Sequence, residues 1–339
     1  MDLALLKKTA QAMVAPGKGI LAIDESHNTC KKRFDALGVE CNEENRRQYR
    51  QMLVTAPGIE QYISGYILFD ETLKQKTENG VSFSKILTDK GIMPGIKVDA
   101  GPKELALHPG EKVTEGLDGL RERLADYKKL GARFAKWRVV ITVGDGIPSQ
   151  ACLSANAHAL ARYAALCQEA DLVPMVEPEV LMEGDHTLKR CYEVSLATWK
   201  TLFEHLKDQD VALEGLILKT SMVLSGKNCA TQADEMTVAE ETVKGLKKAV
   251  PANVAGVVFL SGGQSDRLST VHLNLMNQLE EEKPWSLSFS YGRGIQQPAL
   301  EFWAKNPQAI AEAQKILVHR AHMNGLAANG KWNEQAEYV

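Results

Sequence analysis

The stretch Val254-Ala-Gly-Val-Val-Phe-Leu-Ser-Gly-Gly-Gln-Ser265 is apolar at nearly every position to Leu260 and then breaks into small and polar residues. A strand half-exposed to water would alternate. An unbroken apolar run belongs to a strand covered on both faces, as in a parallel sheet flanked by helices. Related short, β-rich runs recur at 19–24, 62–69, 93–98, 134–141, 173–180, 213–219 and 287–291, which with 254–261 makes eight candidate strands. Amphipathic, charge-dotted stretches with helical spacing separate them, among them 44–54, 151–169, 188–206 and 237–249. Eight β/α units spaced by ~30 to 40 residues fit one closed (β/α)₈ barrel better than two doubly wound halves.

At ~150 residues per domain, 339 residues would admit two domains. No Pro/Gly/Ser-rich linker divides them, so 1–339 reads as a single α/β barrel domain. A helix over 1–18 is expected ahead of the first strand, a last helix over about 307–323, and a flexible tail over 324–339. Hydrophobic residues are 44% and charged residues 24% of the chain, which excludes disorder and low complexity. Forty Lys plus Arg against 43 Asp plus Glu leave a net charge of −3, so neither nucleic acid nor an anionic membrane is indicated as a partner. The six cysteines lack a C-x-x-C pair and read as free thiols in a reducing compartment. Lys7 and Lys8 follow too short an apolar stretch for a secretory signal, and no apolar run reaches the ~18 residues of a membrane span. A cytoplasmic protein is expected. The run Glu280-Glu-Glu-Lys283 reads as a solvated surface.

In such a barrel the active site is built where the strands end, and here those ends are charged. They read Asp24-Glu25-Ser26, Lys97-Val98-Asp99, Lys136-Trp137-Arg138, Glu177-Pro178-Glu179, Lys219, Ser261-Gly262-Gly263-Gln264-Ser265 and Ser290-Tyr291-Gly292-Arg293. Burying so many ions around one mouth costs several kcal/mol per unpaired ion, and selection for stability alone would not collect them. The last two loops suit a phosphate, with Ser261 and the glycines offering close hydrogen-bond donors and Arg293 a bidentate clamp.

Lys219 should leave its apolar strand into the barrel mouth. A like charge from Lys136 or Arg138 at ~6 Å contributes ~2.8 kcal/mol against its charged form at an effective dielectric of ~20. A lysine so depressed can attack a carbonyl and form a Schiff base, with Glu177 or Glu179 giving the proton for dehydration. The alternative is a phosphate-binding or salt-bridged lysine. The histidines form no strand-end cluster with a carboxylate, and His319-x-x-His322 reads as surface or packing, so no metal and no organic cofactor are expected.

The segments Leu21-Ala-Ile-Asp-Glu-Ser26, Gly95-Ile-Lys-Val-Asp99, Phe134-Ala-Lys-Trp-Arg138, Val173-Pro-Met-Val-Glu-Pro-Glu179, Leu218-Lys219, Phe259-Leu-Ser-Gly-Gly-Gln-Ser265 and Phe289-Ser-Tyr-Gly-Arg293 resemble, in order over nearly the whole chain, the class I fructose-1,6-bisphosphate aldolases, with 24–73 most similar to the plant and bacterial branch. The resemblance implies metal-independent, reversible cleavage of fructose 1,6-bisphosphate into dihydroxyacetone phosphate and glyceraldehyde 3-phosphate. It makes Lys219 the Schiff-base lysine and Glu177 the general acid/base. It gives Asp24 and Lys136 the substrate hydroxyl and the developing charge, with Glu179 and Arg138 in support. One phosphate would fall to Ser261, Gly262, Gly292 and Arg293, the other to Ser26, Thr29 and Lys97, with Arg33 nearby as a movable cation. A homotetramer is implied as well. Three departures stand out: Thr29 supplies the hydroxyl that a serine gives in the animal branch, Thr220 replaces a proline after the lysine, and the tyrosine of the family's tail is here Tyr338, next to last. Another Schiff-base sugar-phosphate barrel, or an idle scaffold of the same fold, are the competing readings.

Overall fold

A computed structural model describes residues 1–338. The strands are β1 (Gly19–Ile23), β2 (Ile63–Leu68), β3 (Met93–Lys97), β4 (Gly101–Glu104), β5 (Lys112–Glu115), β6 (Phe134–Ile141), β7 (Val173–Val180), β8 (Ile217–Thr220), β9 (Gly256–Phe259) and β10 (Leu287–Tyr291). The helices are α1 (Leu3–Met13), α2 (His27–Asp35), α3 (Glu43–Thr55), α4 (Asp70–Lys74), α5 (Phe83–Asp89), α6 (Leu120–Lys129), α7 (Gln150–Glu169), α8 (Leu188–Asp208), α9 (Glu235–Ala249), α10 (Asp266–Gln278), α11 (Arg293–Lys305) and α12 (Ile310–Ala328). Eight parallel strands close a barrel in the order β1, β2, β3, β6, β7, β8, β9, β10 and back to β1. Side-chain caps set several helix starts: Asn42 accepts from the Asn45 N–H, Ser149 from Cys152, Thr187 from Arg190 and Asp234 from Thr237.

The barrel has two apolar layers. Outside it, the outward residues of the strands pack under the helices, as Trp137 does against Tyr163 with ring centroids 5.5 Å apart. Inside it, Ile20, Ala22, Ile67, Phe134, Val173, Met175, Ile217 and Val258 fill the N-terminal half, and Leu6, Ala10 and Met13 of α1, with Val14 just after it, close that end. The Phe134 ring occupies the centre so fully that a Cβ on Gly95 would lie 2.2 Å from it. Only glycine fits there.

The structure corrects the sequence reading at four places. The helix expected over 1–18 ends at Met13, because Pro16 and Gly17, at a φ of 70°, do not continue it. Residues 213–215 form a 3₁₀ turn, with Gly215 against Leu6, and the sixth barrel strand starts only at Ile217. The hairpin β4/β5 was not expected, because its polar residues, with Pro102 inside, carry no alternating apolar pattern. The expected tail at 324–339 is in part helix, since α12 runs on to Ala328. Asn324 is fully buried there, accepting from Thr270 Oγ1 at 2.8 Å and donating to the Arg320 carbonyl. Trp332 then docks, its backbone N–H on Asn274 Oδ1 and its Nε1–H on Glu337, which also pairs with Arg320 at 2.6 Å. None of the helices among the described residues is long and apolar enough to cross a membrane.

Candidate active site

The pleat of the strands decides which side chains meet. On β6, Lys136 and Arg138 follow Phe134 on the inward face while Trp137 points outward. On β7, Glu177 and Glu179 continue the inward row of Val173 and Met175, and on β8 Lys219 stands above Ile217. The β6/β7 pair keeps register from Phe134 opposite Val173 to Ile141 opposite Val180. The row is therefore apolar at the closed end and ionic at the C-terminal mouth, where a cleft of about 360 Å³ opens.

Every site residue expected from the sequence lines that cleft: Asp24, Ser26, Thr29, Arg33, Lys97, Lys136, Arg138, Glu177, Glu179, Lys219, Ser261, Gly262, Gly292 and Arg293. Tyr338 does not. It is 85% exposed, on the 3₁₀ turn that ends the described chain.

At the bottom of the cleft four ions form a chain. Lys136 Nζ lies 2.7 Å from Asp24 Oδ2 and 3.1 Å from Glu177 Oε2, and Glu177 Oε1 lies 3.1 Å from Lys219 Nζ. Lys136, Glu177 and Lys219 are each only 3% exposed. The sequence reading set like charges beside Lys219; the structure places the Glu177 carboxylate between the two ammonium groups. Burial pushes the Glu177 carboxyl up, but Lys136, Lys219 and Arg138 outweigh it and hold it below the usual value. Asp24 is likewise raised by burial, yet Lys136 and then Lys219 bring it to about 2. Burial alone would lower Lys136, and Asp24 and Glu177 instead keep it well above the ordinary lysine value. Among the described residues Glu177 Oε2 makes no hydrogen bond although Lys136 is close, so this buried oxygen can still accept one.

Other cations of the cleft are held by carboxylates. Lys97 Nζ lies 2.5 Å from Asp99 Oδ1, Arg138 pairs with Glu179, and Arg33 pairs with Glu25 and donates to Gln297 at 2.9 Å. Ser26 caps α2 and lies 3.2 Å from the Thr29 hydroxyl, which puts two hydroxyls at the start of that helix. Across the cleft, Gly262 and Gly263 have φ of 57° and 91°, a backbone that side chains resist, so the turn after β9 can approach a bound anion closely. Arg293 is the first residue of α11, whose N-terminus adds its own partial positive charge.

The sequence reading assigns no role to three polar residues that line the cleft. Asp99 accepts from Lys97, from the Gly101 N–H and from the Arg138 N–H, and so ties β3 to β6. Glu25 holds Arg33 and, through Oε2, the buried Arg50 at 3.2 Å. Ser290 Oγ is buried at the cleft without a partner among the described residues. Asp99 and Glu25 lie at charged strand ends that the sequence shows, and only their contacts, which pair distant segments, separate them from ordinary loop acids.

Comparison with known proteins agrees with this geometry. The family profile "Fructose-bisphosphate aldolase class-I" matches residues 5–339. A "Probable fructose-bisphosphate aldolase class 1" of Xanthomonas campestris pv. campestris is 62% identical over 98% of this chain and 99% of its own length. The chloroplastic fructose-bisphosphate aldolase 1 of Chlamydomonas reinhardtii is 49% identical over 98% of this chain and 87% of its own. Among solved structures, fructose-bisphosphate aldolase from Plasmodium falciparum, crystallised with TRAP and a small-molecule inhibitor, superposes with a TM-score of 0.95 at 44% identity, covering 97% of this chain and 95% of that one. A closed parallel barrel, two lysines around a buried carboxylate and identities that span the whole length lead to one assignment: the chain belongs to the class I fructose-bisphosphate aldolases.

Proposed function

We propose that Lys219 is the amine that attacks the C2 ketone of fructose 1,6-bisphosphate and that Glu177 moves the protons of the reaction. The observation that carries this reading is the position of Glu177, 3.1 Å from each ammonium and buried with them. Lys219 must shed a proton before it can attack, and Glu177 Oε1 is within reach. Once the nitrogen is part of a neutral carbinolamine, the attraction that kept Glu177 ionised is weaker. Its proton affinity therefore rises at the step that needs a donor. The proton goes to the carbinolamine hydroxyl, water leaves, and the iminium forms. Glu177, again a carboxylate with Oε2 free, takes the proton of the C4 hydroxyl as the C3–C4 bond breaks. The bond's electron pair flows to the iminium nitrogen and leaves a neutral enamine, while glyceraldehyde 3-phosphate departs. Protonation at C3 and hydrolysis then release dihydroxyacetone phosphate and restore the lysine.

In this reading Asp24 and Lys136 orient the C4 hydroxyl and stabilise charge on it, and the Arg138–Glu179 pair supports them. Ser261, Gly262, Gly292 and Arg293 take one phosphate. Ser26, Thr29, Lys97 and Arg33 take the other, on the far side of the lysines. The family resemblance supports a homotetramer in the cytoplasm, with 1–339 as one domain.

Purified protein incubated with dihydroxyacetone phosphate and sodium borohydride in the presence of EDTA should carry the reduced adduct on Lys219, located by peptide mass spectrometry. The variant Lys219→Ala should carry none and lose on the order of 10⁴-fold or more in kcat. An unlabelled wild-type Lys219 in protein that still cleaves the bisphosphate would refute the assignment.

A further inference from the structure

Behind the turn Ser261-Gly262-Gly263 lies a buried histidine that the reaction does not use. Gln264, which ends the turn, donates from Nε2 to Met222 Sδ at 3.5 Å, and its Oε1 lies 2.6 Å from His272 Nδ1. Met222 stands in the segment that follows Lys219 on leaving β8, and His272 lies on α10. The opposite amide orientation would set the oxygen against a sulfur that has no proton to give. An amide oxygen only accepts, so His272 carries its proton on Nδ1 and is the donor. His272 is 2% exposed, and burial holds its pKa down to about 4, which keeps the ring neutral at neutral pH.

The turn is anchored at its two ends, by the Leu260 N–H on the Thr220 carbonyl at 2.9 Å and by Ser265 capping α10, but between them little else fixes it. Its two glycines are in left-handed conformations and have no side chains to pack, and one backbone hydrogen bond, from the Gln264 N–H to the Ser261 carbonyl at 3.0 Å, closes it. Met182 and Leu260 pack beside it, but apolar contacts do not fix an orientation as a directional bond does. The amide of Gln264 is thus a tie between the turn, the segment after the lysine strand and the body of α10.

We propose that His272 is a positioning residue: through Gln264 it holds the Ser261–Gly263 turn in register with the Lys219 strand, and so sets where a substrate phosphate sits relative to the reacting amine. This rests on the assignment of that turn to a phosphate. A donor that is lost should let the turn drift, which weakens binding of the bisphosphate more than it slows the bound complex.

The test compares steady-state KM and kcat for fructose 1,6-bisphosphate in His272→Asn, His272→Leu, Gln264→Met and Ser261→Ala. Asparagine places an amide N–H near the position of Nδ1, so His272→Asn should stay within roughly twofold of wild type. His272→Leu keeps much of the bulk without the donor, and its KM should rise roughly tenfold with a smaller change in kcat. Gln264→Met, which removes the amide at similar volume, should match it and carries the test should His272→Leu fail to fold. A packing role alone predicts that leucine serves as well as asparagine. If both donor-free variants keep the wild-type KM while Ser261→Ala raises it, the positioning role is wrong and the phosphate assignment stands. If Ser261→Ala leaves KM unchanged, the phosphate assignment falls and the inference falls with it.

Discussion

Ile217 and Lys219 stand on the same face of one strand, two residues apart, and so do Met175 and Glu177 on the next. The lower member of each pair belongs to an apolar plug that α1 closes, and the upper member to a chain of ions at the mouth. The pleat, the twist and the register are common to both ends, so backbone geometry alone does not explain the difference. What differs is the sign of the free energy. Each inward Ile or Met contributes about 2 kcal/mol by leaving water, whereas each buried ion costs several kcal/mol before its partners are counted. The mouth tolerates its ions because they balance: Asp24 and Glu177 against Lys136 and Lys219, each within 3.1 Å of an opposite charge. The closed end makes the barrel stable, and the mouth uses that stability to hold charges that water would separate.

If this division is right, mutations at the two ends should fail in different assays. Glu177→Gln keeps the shape and removes the charge. It should lower kcat by roughly 10²- to 10⁴-fold and slow the appearance of borohydride-trapped adduct, with the protein still folded at neutral pH. Ile217→Ala, directly below Lys219, should cost about 2 to 5 kcal/mol in urea unfolding and leave kcat per folded molecule within roughly twofold. A large loss of kcat in Ile217→Ala without a loss of stability would show that the plug shapes the chemistry. The comparison would then break.

The sequence made the mouth more legible than the closed end. Charged residues at the ends of apolar strands are conspicuous against the run before them, and Lys219, Glu177, Lys136 and Asp24 all fall where the strands leave the core. The plug is written in the same Ile, Val and Met that cover the outside, and period-two parity does not say which face of a strand buried on both sides looks inward. Contacts between distant segments were also illegible. That Glu177 would stand between two ammonium groups follows from the register of β6, β7 and β8, which no local pattern encodes. The β4/β5 hairpin carries no apolar alternation because only Thr114 of its residues is buried, yet Gly101 and Pro102 line the cleft. The last turns of α12 contain Asn324 and Gly325, which read as a tail; a buried hydrogen bond to Thr270 makes Asn324 part of the helix core.

The smallest effect is the most discriminating, because only a charge can fade with pH. Asp24 has its pKa brought down from 3.8 to about 2: burial works against this, and Lys136 and Lys219 prevail. The folded value lies below the unfolded one, so as pH falls the unfolded chain takes up the proton first. The stability that Asp24 gains from its ion pairs is therefore complete above about pH 4 and disappears as pH falls toward 2. Its size is on the order of 2 kcal/mol. Urea unfolding of wild type and Asp24→Asn at pH 7, 4 and 3 should show a gap that holds from 7 to 4 and narrows at 3. Depressed carboxylates away from the mouth, such as Asp171 and Glu337, act in both proteins and largely cancel in the difference, whereas Glu177, which shares Lys136 with Asp24, contributes to it. The gap between wild type and Ile217→Ala should stay flat over the same range, since the plug holds no titrating group. Two gaps that ran parallel through pH 3 would mean that Asp24 stabilises the mouth by packing rather than by charge, and the contrast between the two ends would lose its electrostatic basis.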